Sequence, residues 1–185
     1  MADLFVALIH HPVLDRNGAI VTSAITSLDI HDLARAARTY EARALFIVHP
    51  VEEQRDFAAS VVDHWKFGFG RAHDSRRREA LERARIVADL DLALVEAERM
   101  SGARPLVVHT SARTTQGTSY RELRSKMEAR EAPPMMLLIG TGFGLAPAVA
   151  ERAEIRLAPI LGPGDYNHLS VRAAAGIILD RLCGR

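Results

Sequence analysis

Met135-Met136-Leu137-Leu138-Ile139-Gly140-Thr141-Gly142-Phe143-Gly144-Leu145 is an unbroken apolar run that opens into three glycines spaced two apart. An apolar run without polar alternation is how a strand covered on both faces reads. Glycines directly behind it let the backbone take positive φ or approach another group closely. In open α/β sheets ligands bind beyond the carboxyl ends of the strands, so this segment marks both a buried strand and the edge of a candidate site. A second stretch repeats the arrangement. Ala158-Pro159-Ile160-Leu161-Gly162-Pro163-Gly164-Asp165-Tyr166-Asn167-His168-Leu169-Ser170-Val171-Arg172 leads from an apolar run, through glycines on either side of Pro163, into a final apolar segment. Pro163 stiffens this loop, and Asn167 or Ser170 is placed to cap the helix behind it.

Four further apolar runs lie outside that stretch, at Leu4–Ile9, Ala44–Val48, 106–108 and 155–160. Between the runs the period changes to that of helices. Ile30, Leu33, Ala34, Ala37 and Tyr40 follow i, i+3, i+4, i+7 spacing and predict a helix over 30–40 with Asp29 as N-cap. Val51, Phe57, Ala58, Val61, Val62 and Trp65 predict a second after Pro50. Further helices are expected over 76–88, 91–100 and 119–129, a short one from Pro147, and a last one over 168–182. Five strands alternating with helices give an α/β fold with a parallel sheet. No linker, repeat or low-complexity tract interrupts it, so residues 1–185 read as one domain.

The composition narrows the class. A chain of 185 residues that is 48% hydrophobic can bury a full core without staples. The lone cysteine, Cys183, forms no internal disulfide, which fits a reducing compartment. No basic-then-apolar leader pattern stands at the N-terminus, and no apolar run approaches the roughly 18–20 residues that cross a bilayer. The expectation is a cytoplasmic protein without a membrane partner. Net charge is +1, yet all but two of the basic residues are arginines, Lys66 and Lys126 being the exceptions. Arginine's planar fork grips phosphate bidentately, although a genome of high GC content, whose codons favour Arg and Ala, produces the same bias.

The glycine loops exclude some ligands. A dinucleotide fingerprint beginning at Gly140 requires Gly or Ala where Leu145 stands, and belongs early in a sheet rather than near its end. No Gly-Lys-Ser/Thr follows, so the phosphate loop of nucleotide triphosphatases is absent as well. His10 and His11 sit beside Pro12 with no further ligands at metal-binding spacing, and no metal is expected.

Taken in order, the strand with its GxGxG loop, a short helix, a Pro-Ile-Leu-Gly loop and Asn167-His168-Leu169-Ser170-Val171-Arg172-Ala173-Ala174-Ala175-Gly176-Ile177-Ile178-Leu179 resemble the C-terminal half of SPOUT RNA methyltransferases. Ala7-Leu8-Ile9-His10-His11-Pro12-Val13, Thr26-Ser27-Leu28-Asp29-Ile30-His31-Asp32-Leu33-Ala34-Arg35 and His109-Thr110-Ser111-Ala112-Arg113 extend the likeness across the chain. They resemble a small bacterial family of stand-alone SPOUT domains that methylate RNA with S-adenosylmethionine. The resemblance implies a C-terminal trefoil knot, a homodimer and an RNA substrate, tRNA or rRNA. It also implies a cofactor held among three loops. The first is carried by Thr110 and Ser111, the second by Gly140, Thr141, Gly142 and Gly144. The third is carried by Ile160, Leu161, Gly162, Asn167, Leu169 and Ser170.

Methyl transfer needs a nucleophile brought into line and often a base to take its proton. Asp165 is one candidate base and His168 its rival, since imidazole titrates near neutral pH. Arg172 is a candidate for neutralising RNA phosphate, with a carboxylate pairing as the structural alternative. In related families an arginine after the first loop reaches the partner subunit's site, which nominates Arg113. Residues 66–85 carry Lys66, Arg71, Arg76, Arg77, Arg78, Arg83 and Arg85 against Asp74, Glu79 and Glu82, with Trp65, Phe67 and Phe69 at their start. Aromatics beside arginines stack bases while the arginines hold phosphate; a solvated helix face over core aromatics is the plainer reading. A non-catalytic RNA- or S-adenosylmethionine-binding module of the same fold is the alternative to an enzyme.

Overall fold

The computed structural model describes residues 1–114 and 116–185, with Arg71 described by its backbone course alone. The chain runs β1 (Leu4–Ile9), β2 (Val13–Leu14), β3 (Ile20–Val21), α1 (Ser27–Thr39), β4 (Ala44–Val48), α2 (Glu52–Lys66), α3 (Gly70–His73) and α4 (Ser75–Leu81). It continues through β5 (Ala84–Val87), α5 (Leu90–Ser101), β6 (Leu106–His109), α6 (Tyr120–Glu128), β7 (Met135–Gly140), α7 (Pro147–Ala150), β8 (Ile155–Arg156) and α8 (Val171–Cys183).

Six strands form one sheet in the order β5-β4-β1-β7-β6-β8. Every pairing in it is parallel, with β1 at the centre held to β4 by Val6↔Leu45 and to β7 by Val6↔Leu137. The two-residue period of β1 explains why its sequence is apolar throughout. Leu4, Val6 and Leu8 face a core completed by Ile30 and Leu33 of α1, Leu123 of α6 and Ile178 and Leu182 of α8. Phe5, Ala7 and Ile9 face the other core, built with Ala93, Leu94 and Ala97 of α5 and Val149 of α7. Each large side chain so buried stabilises the fold by about 1.5–3 kcal/mol relative to exposure.

The structure departs from the sequence-based expectations in several places. The helix expected over 76–88 ends at Leu81, and Ala84–Val87 instead pairs parallel with β4, Leu45 opposite Ala84. Helix α1 starts earlier than expected: Thr26 is the N-cap and Asp29 is its reciprocal partner three residues on, with the Asp29 N–H donating to Thr26 Oγ1 and Thr26 Oγ1 donating to Asp29 Oδ2. Of the run 155–160 only Ile155–Arg156 forms a strand against β6; Leu157 bridges instead to Thr118, and Pro159 has no N–H to carry a ladder further. The last helix begins at Val171 rather than 168, with Ser170 accepting from Ala173 N–H as its cap. Asn167 has a different task, described below.

Candidate functional site

A cavity of about 450 Å³ opens at the carboxyl ends of β6 and β7. That volume falls in the range of small-molecule sites, about 300–1,000 Å³. Three segments wall it: 110–113 after β6, 139–144 after β7, and 158–160 with 167–171 before α8. Ser23, Ala24 and Asp29 close it from the N-terminal half, and Tyr120, Ala174 and Ile178 from the helical layer.

The glycine loop is held by the β2–β3 hairpin. Phe143 N–H donates to the Leu14 carbonyl at 2.9 Å, Leu14 N–H to the Gly144 carbonyl at 2.9 Å, and Ala146 N–H to the Pro12 carbonyl at 3.1 Å. Gly142 stands at φ +59°, and a Cβ there would lie 2.9 Å from the Leu14 carbonyl oxygen. Only glycine allows this approach without strain. Gly144, at φ +111°, has nothing within 4 Å of where its Cβ would be, while its N–H donates to the Thr141 carbonyl and its carbonyl accepts from Leu14 N–H.

Beneath the loop lies a directed chain of hydrogen bonds. Thr141 Oγ1 donates to the Ile9 carbonyl at 3.1 Å, so it accepts from Ser23 Oγ. Ser23 in turn has only a lone pair left for His10 Nδ1 at 2.9 Å, which fixes the neutral Nδ1–H tautomer of His10. Burial, with the neighbouring charge of His49, pushes the His10 pKa down from 6.5 to about 4. His49 takes the opposite tautomer: its Nδ1 accepts from Val51 N–H and its Nε2–H donates to the Ser23 carbonyl. Its pKa is likewise lowered, chiefly by burial. Two neutral imidazoles thus hold Ser23, a wall residue, by both side chain and main chain.

The other two segments are tied to each other. Thr110 Oγ1 donates to the Leu138 carbonyl at 2.8 Å, and Asn167 Nδ2 donates to the Ala112 carbonyl at 3.3 Å. Thr118 N–H donates to the Arg156 carbonyl and Ala158 N–H to the Thr118 carbonyl, so the two chain segments cross in contact. At Gly117 a Cβ would lie 2.7 Å from the Arg156 carbonyl oxygen.

Ten of the residues expected to hold cofactor line the cavity: Thr110, Ser111, Gly140, Thr141, Gly142, Gly144, Ile160, Asn167, Leu169 and Ser170. Leu161 and Gly162 do not; both are exposed on the outer side of the loop. Among the candidate catalytic residues His168 lines the cavity, whereas Asp165 is exposed outside it. Arg172 also lies outside the lining. Its Nη1 donates to Asp29 Oδ1 at 2.8 Å and its Nε stands 3.5 Å from Asp32 Oδ2, so it pairs with carboxylates as the structural alternative had it. Arg113 lines the cavity with its guanidinium 5.9 Å from the centroid of the Phe143 ring. Sequence reasoning missed Ser23, Asp29 and Tyr120 as wall residues. The Asn17-Gly18 dipeptide between two short apolar pairs was the available signal for the hairpin that returns Ser23 to β1. Among the described residues no cluster of three or more metal-ligating side chains occurs.

The sheet order, the glycine loop and the shared cavity fit a SPOUT-type fold, and comparison with known proteins gives the family. Residues 3–184 match the model of a family described as SAM-dependent RNA methyltransferase, and the chain belongs to that family. It is 39% identical over 184 residues to an uncharacterized protein of Aquifex aeolicus, covering 99% of this chain and 89% of that one. It is 38% identical over 182 residues to a tRNA (guanine-N(1)-)-methyltransferase of Oleidesulfovibrio alaskensis, covering 98% of this chain but 42% of that protein. Among solved structures, a methylase-family protein from Neisseria gonorrhoeae matches with a TM-score of 0.65 at 20% identity, over 100% of this chain and 83% of that one. The SpoU methyltransferase AviRb from Streptomyces viridochromogenes, in complex with AdoMet, matches with a TM-score of 0.58 at 18% identity, over 98% of this chain and 57% of that one. No described helix is long and apolar enough to cross a membrane.

Proposed function

We propose that S-adenosylmethionine occupies the cavity walled by 110–113, 139–144 and 167–171, and that an RNA nucleotide enters from the side of His168 and Arg113. The observation that carries this reading is the convergence of three loops, two of them after neighbouring strands, on one cavity of about 450 Å³. Thr110, Ser111, Gly140, Thr141, Gly142, Gly144 and Ile160 hold the nucleoside, with Asn167, Leu169 and Ser170 closing over it. The bound cofactor supplies an electrophilic methyl group on a sulfonium. The chain's own residues position the acceptor and take its proton, and His168 is the base best placed to do so, at the cavity wall and open to solvent. Arg113 holds phosphate at the mouth. Asp165 lies outside the wall.

The finer assembly follows the same reading. Residues 157–170 cross against 110–118 before α8 turns back onto α1 and α6, as threading of a trefoil knot requires. The protein acts as a homodimer in the cytoplasm, with exposed Leu161 and Tyr166 meeting the second subunit. tRNA is the first substrate to test. The guanine chemistry in the name of the Oleidesulfovibrio protein belongs to a chain more than twice as long and is not carried over.

Total RNA from a strain lacking the gene, incubated with the protein and methyl-labelled S-adenosylmethionine, should acquire label in one nucleoside, read by mass spectrometry. A second reading is favoured by Asp165 lying off the wall, which leaves no carboxylate base free: a module that binds cofactor without turnover. Calorimetric binding of S-adenosylmethionine with no label in any RNA would establish it.

A further inference from the structure

Phe67 and Phe69 are 75% and 82% exposed, an unusual state for two phenylalanines in a chain whose core is otherwise closed. They lie between α2 and α3, where Phe69 stacks with His73 at a centroid distance of 6.3 Å and an interplanar angle of 24°. The chain around them is strongly basic. Residues 66–78 contain Lys66, Arg71, Arg76, Arg77 and Arg78 against Asp74 alone, a net charge of +4 within a protein of +1. Asp74 Oδ1 caps α4 by accepting from Arg76 and Arg77 N–H, and its Oδ2 stands 3.9 Å from Arg77 Nε, so it leaves Lys66 and Arg76 without a carboxylate. Glu79 is drawn away to Arg38. Arg77 Nε and Arg78 Nε are buried and donate no hydrogen bond, although Arg78 Nε faces Glu82 at 3.6 Å. Lys66 stands in a shallow recess with Phe67, Arg78 and Glu82, and burial with the charge of Arg85 pushes its pKa down. The positive field at this corner is therefore incompletely neutralised by the protein itself.

The corner is joined to the candidate site through α1. Arg77 lies over the Trp65 ring at 4.7 Å, and Trp65 meets His31 edge-on at 5.7 Å. His31 is two residues from Asp29, which walls the cavity.

We propose that Phe67, Phe69 and His73, with Lys66, Arg76 and Arg78, form a second RNA-binding surface that stacks unpaired bases of the substrate while its cations hold the phosphates. Every base offers a π-face, so stacking of this kind tolerates any sequence, and the cations add affinity that falls with salt. A duplex, whose bases are already stacked, gives the phenylalanines nothing to grip; the surface selects single-stranded segments. This inference rests on RNA being the substrate but not on where the cofactor sits.

The test uses the full chain and a fluorescein-labelled 20-nucleotide RNA of mixed sequence without self-complementarity, followed by fluorescence anisotropy. Removing both rings in F67A/F69A should weaken binding by at least about tenfold, since one stacked base contributes that much or more. F69W should bind as well as the wild type. R76Q should lower the slope of log affinity against log salt by about 0.7, one phosphate contact on a single strand, whereas F67A/F69A should leave that slope unchanged. A 20-base-pair duplex should be indifferent to the two phenylalanines. Wild-type affinity in F67A/F69A, with an unchanged thermal midpoint, would overturn the proposal. Loss of self-association in F67A/F69A by sedimentation velocity, with RNA affinity retained, would overturn it in favour of a protein interface. S-adenosylmethionine affinity, measured by calorimetry on the same samples, keeps the two readings apart. Phenylalanine-dependent RNA binding by a protein that does not bind the cofactor would uphold this surface and sink the cavity assignment. Cofactor binding without phenylalanine-dependent RNA binding would do the reverse.

Discussion

Arg172 in the first turn of α8 donates to Asp29 in the first turn of α1 at 2.8 Å, across 143 residues of sequence. Asp29 is almost wholly buried and its other oxygen accepts from Thr26, so the carboxylate is fully engaged. The pair fastens the two helix starts that flank the cavity. Removing the guanidinium strands a buried charge, which costs about 3–5 kcal/mol in such pairs. Arg172 is one-third exposed, so the lower end applies. R172L should lose about 3 kcal/mol of unfolding free energy in urea and bind S-adenosylmethionine more weakly. D29N/R172L should recover part of that stability, and a double variant worse than R172L would remove the pairing from the account.

Gly142 tests the glycine loop. Its positive φ and its approach to Leu14 leave no room for a side chain. G142V should abolish measurable S-adenosylmethionine binding in calorimetry and lower stability by about 1–3 kcal/mol, the size of such backbone strain. Undiminished affinity would place the nucleoside elsewhere.

The His10 imidazole gives a pH signature. Its folded pKa of about 4 lies below the unfolded 6.5. Below pH 6.5 the unfolded chain takes up a proton that the folded chain refuses until about pH 4. The stability associated with neutral His10 is thus complete above pH 6.5 and is lost as the pH falls towards 4, by about 3 kcal/mol in all. His31, His49 and His109 are shifted the same way, each mainly by burial, and steepen the loss. H10N keeps a donor for Ser23 without the titration, so its unfolding free energy should fall less than that of the wild type between pH 6.5 and 4.5. Parallel curves would contradict the buried neutral tautomer.

His168 and Asp165 separate by position. H168A should reduce turnover by about 10²-fold, the lower range for general bases, with cofactor affinity preserved. D165N should turn over near the wild-type rate. The opposite ranking, read in the same methyl-transfer assay, would reassign the base to Asp165.

Much of this was legible in the chain. The unbroken runs at Leu4–Ile9, Ala44–Val48 and Met135–Gly140 read as doubly covered strands because both faces of the sheet carry helices. The two glycine loops pointed to a single site; the first walls the cavity, but of the second only the flanking residues 158–160 and 167–171 do, and Gly162–Gly164 lie outside it. The hidden parts depend on tertiary partners. Ala84-Arg85-Ile86-Val87 follows a run of strong helix formers, and only the open edge of β4 turns it into a strand. Arg172 looked like a phosphate ligand until α1 brought Asp29 beside it. Ser23 and His10, 13 residues apart, meet only because the β2–β3 hairpin folds the chain back. No local periodicity encodes such a meeting.

A crystal structure of the protein grown with S-adenosylmethionine tests the central claim most directly. The account predicts the nucleoside against the main chain of Gly140–Gly144 and Thr110–Ser111, with its sulfonium methyl facing His168. Density for the nucleoside at any other place on the chain, with that cavity closed by its own side chains, would contradict it.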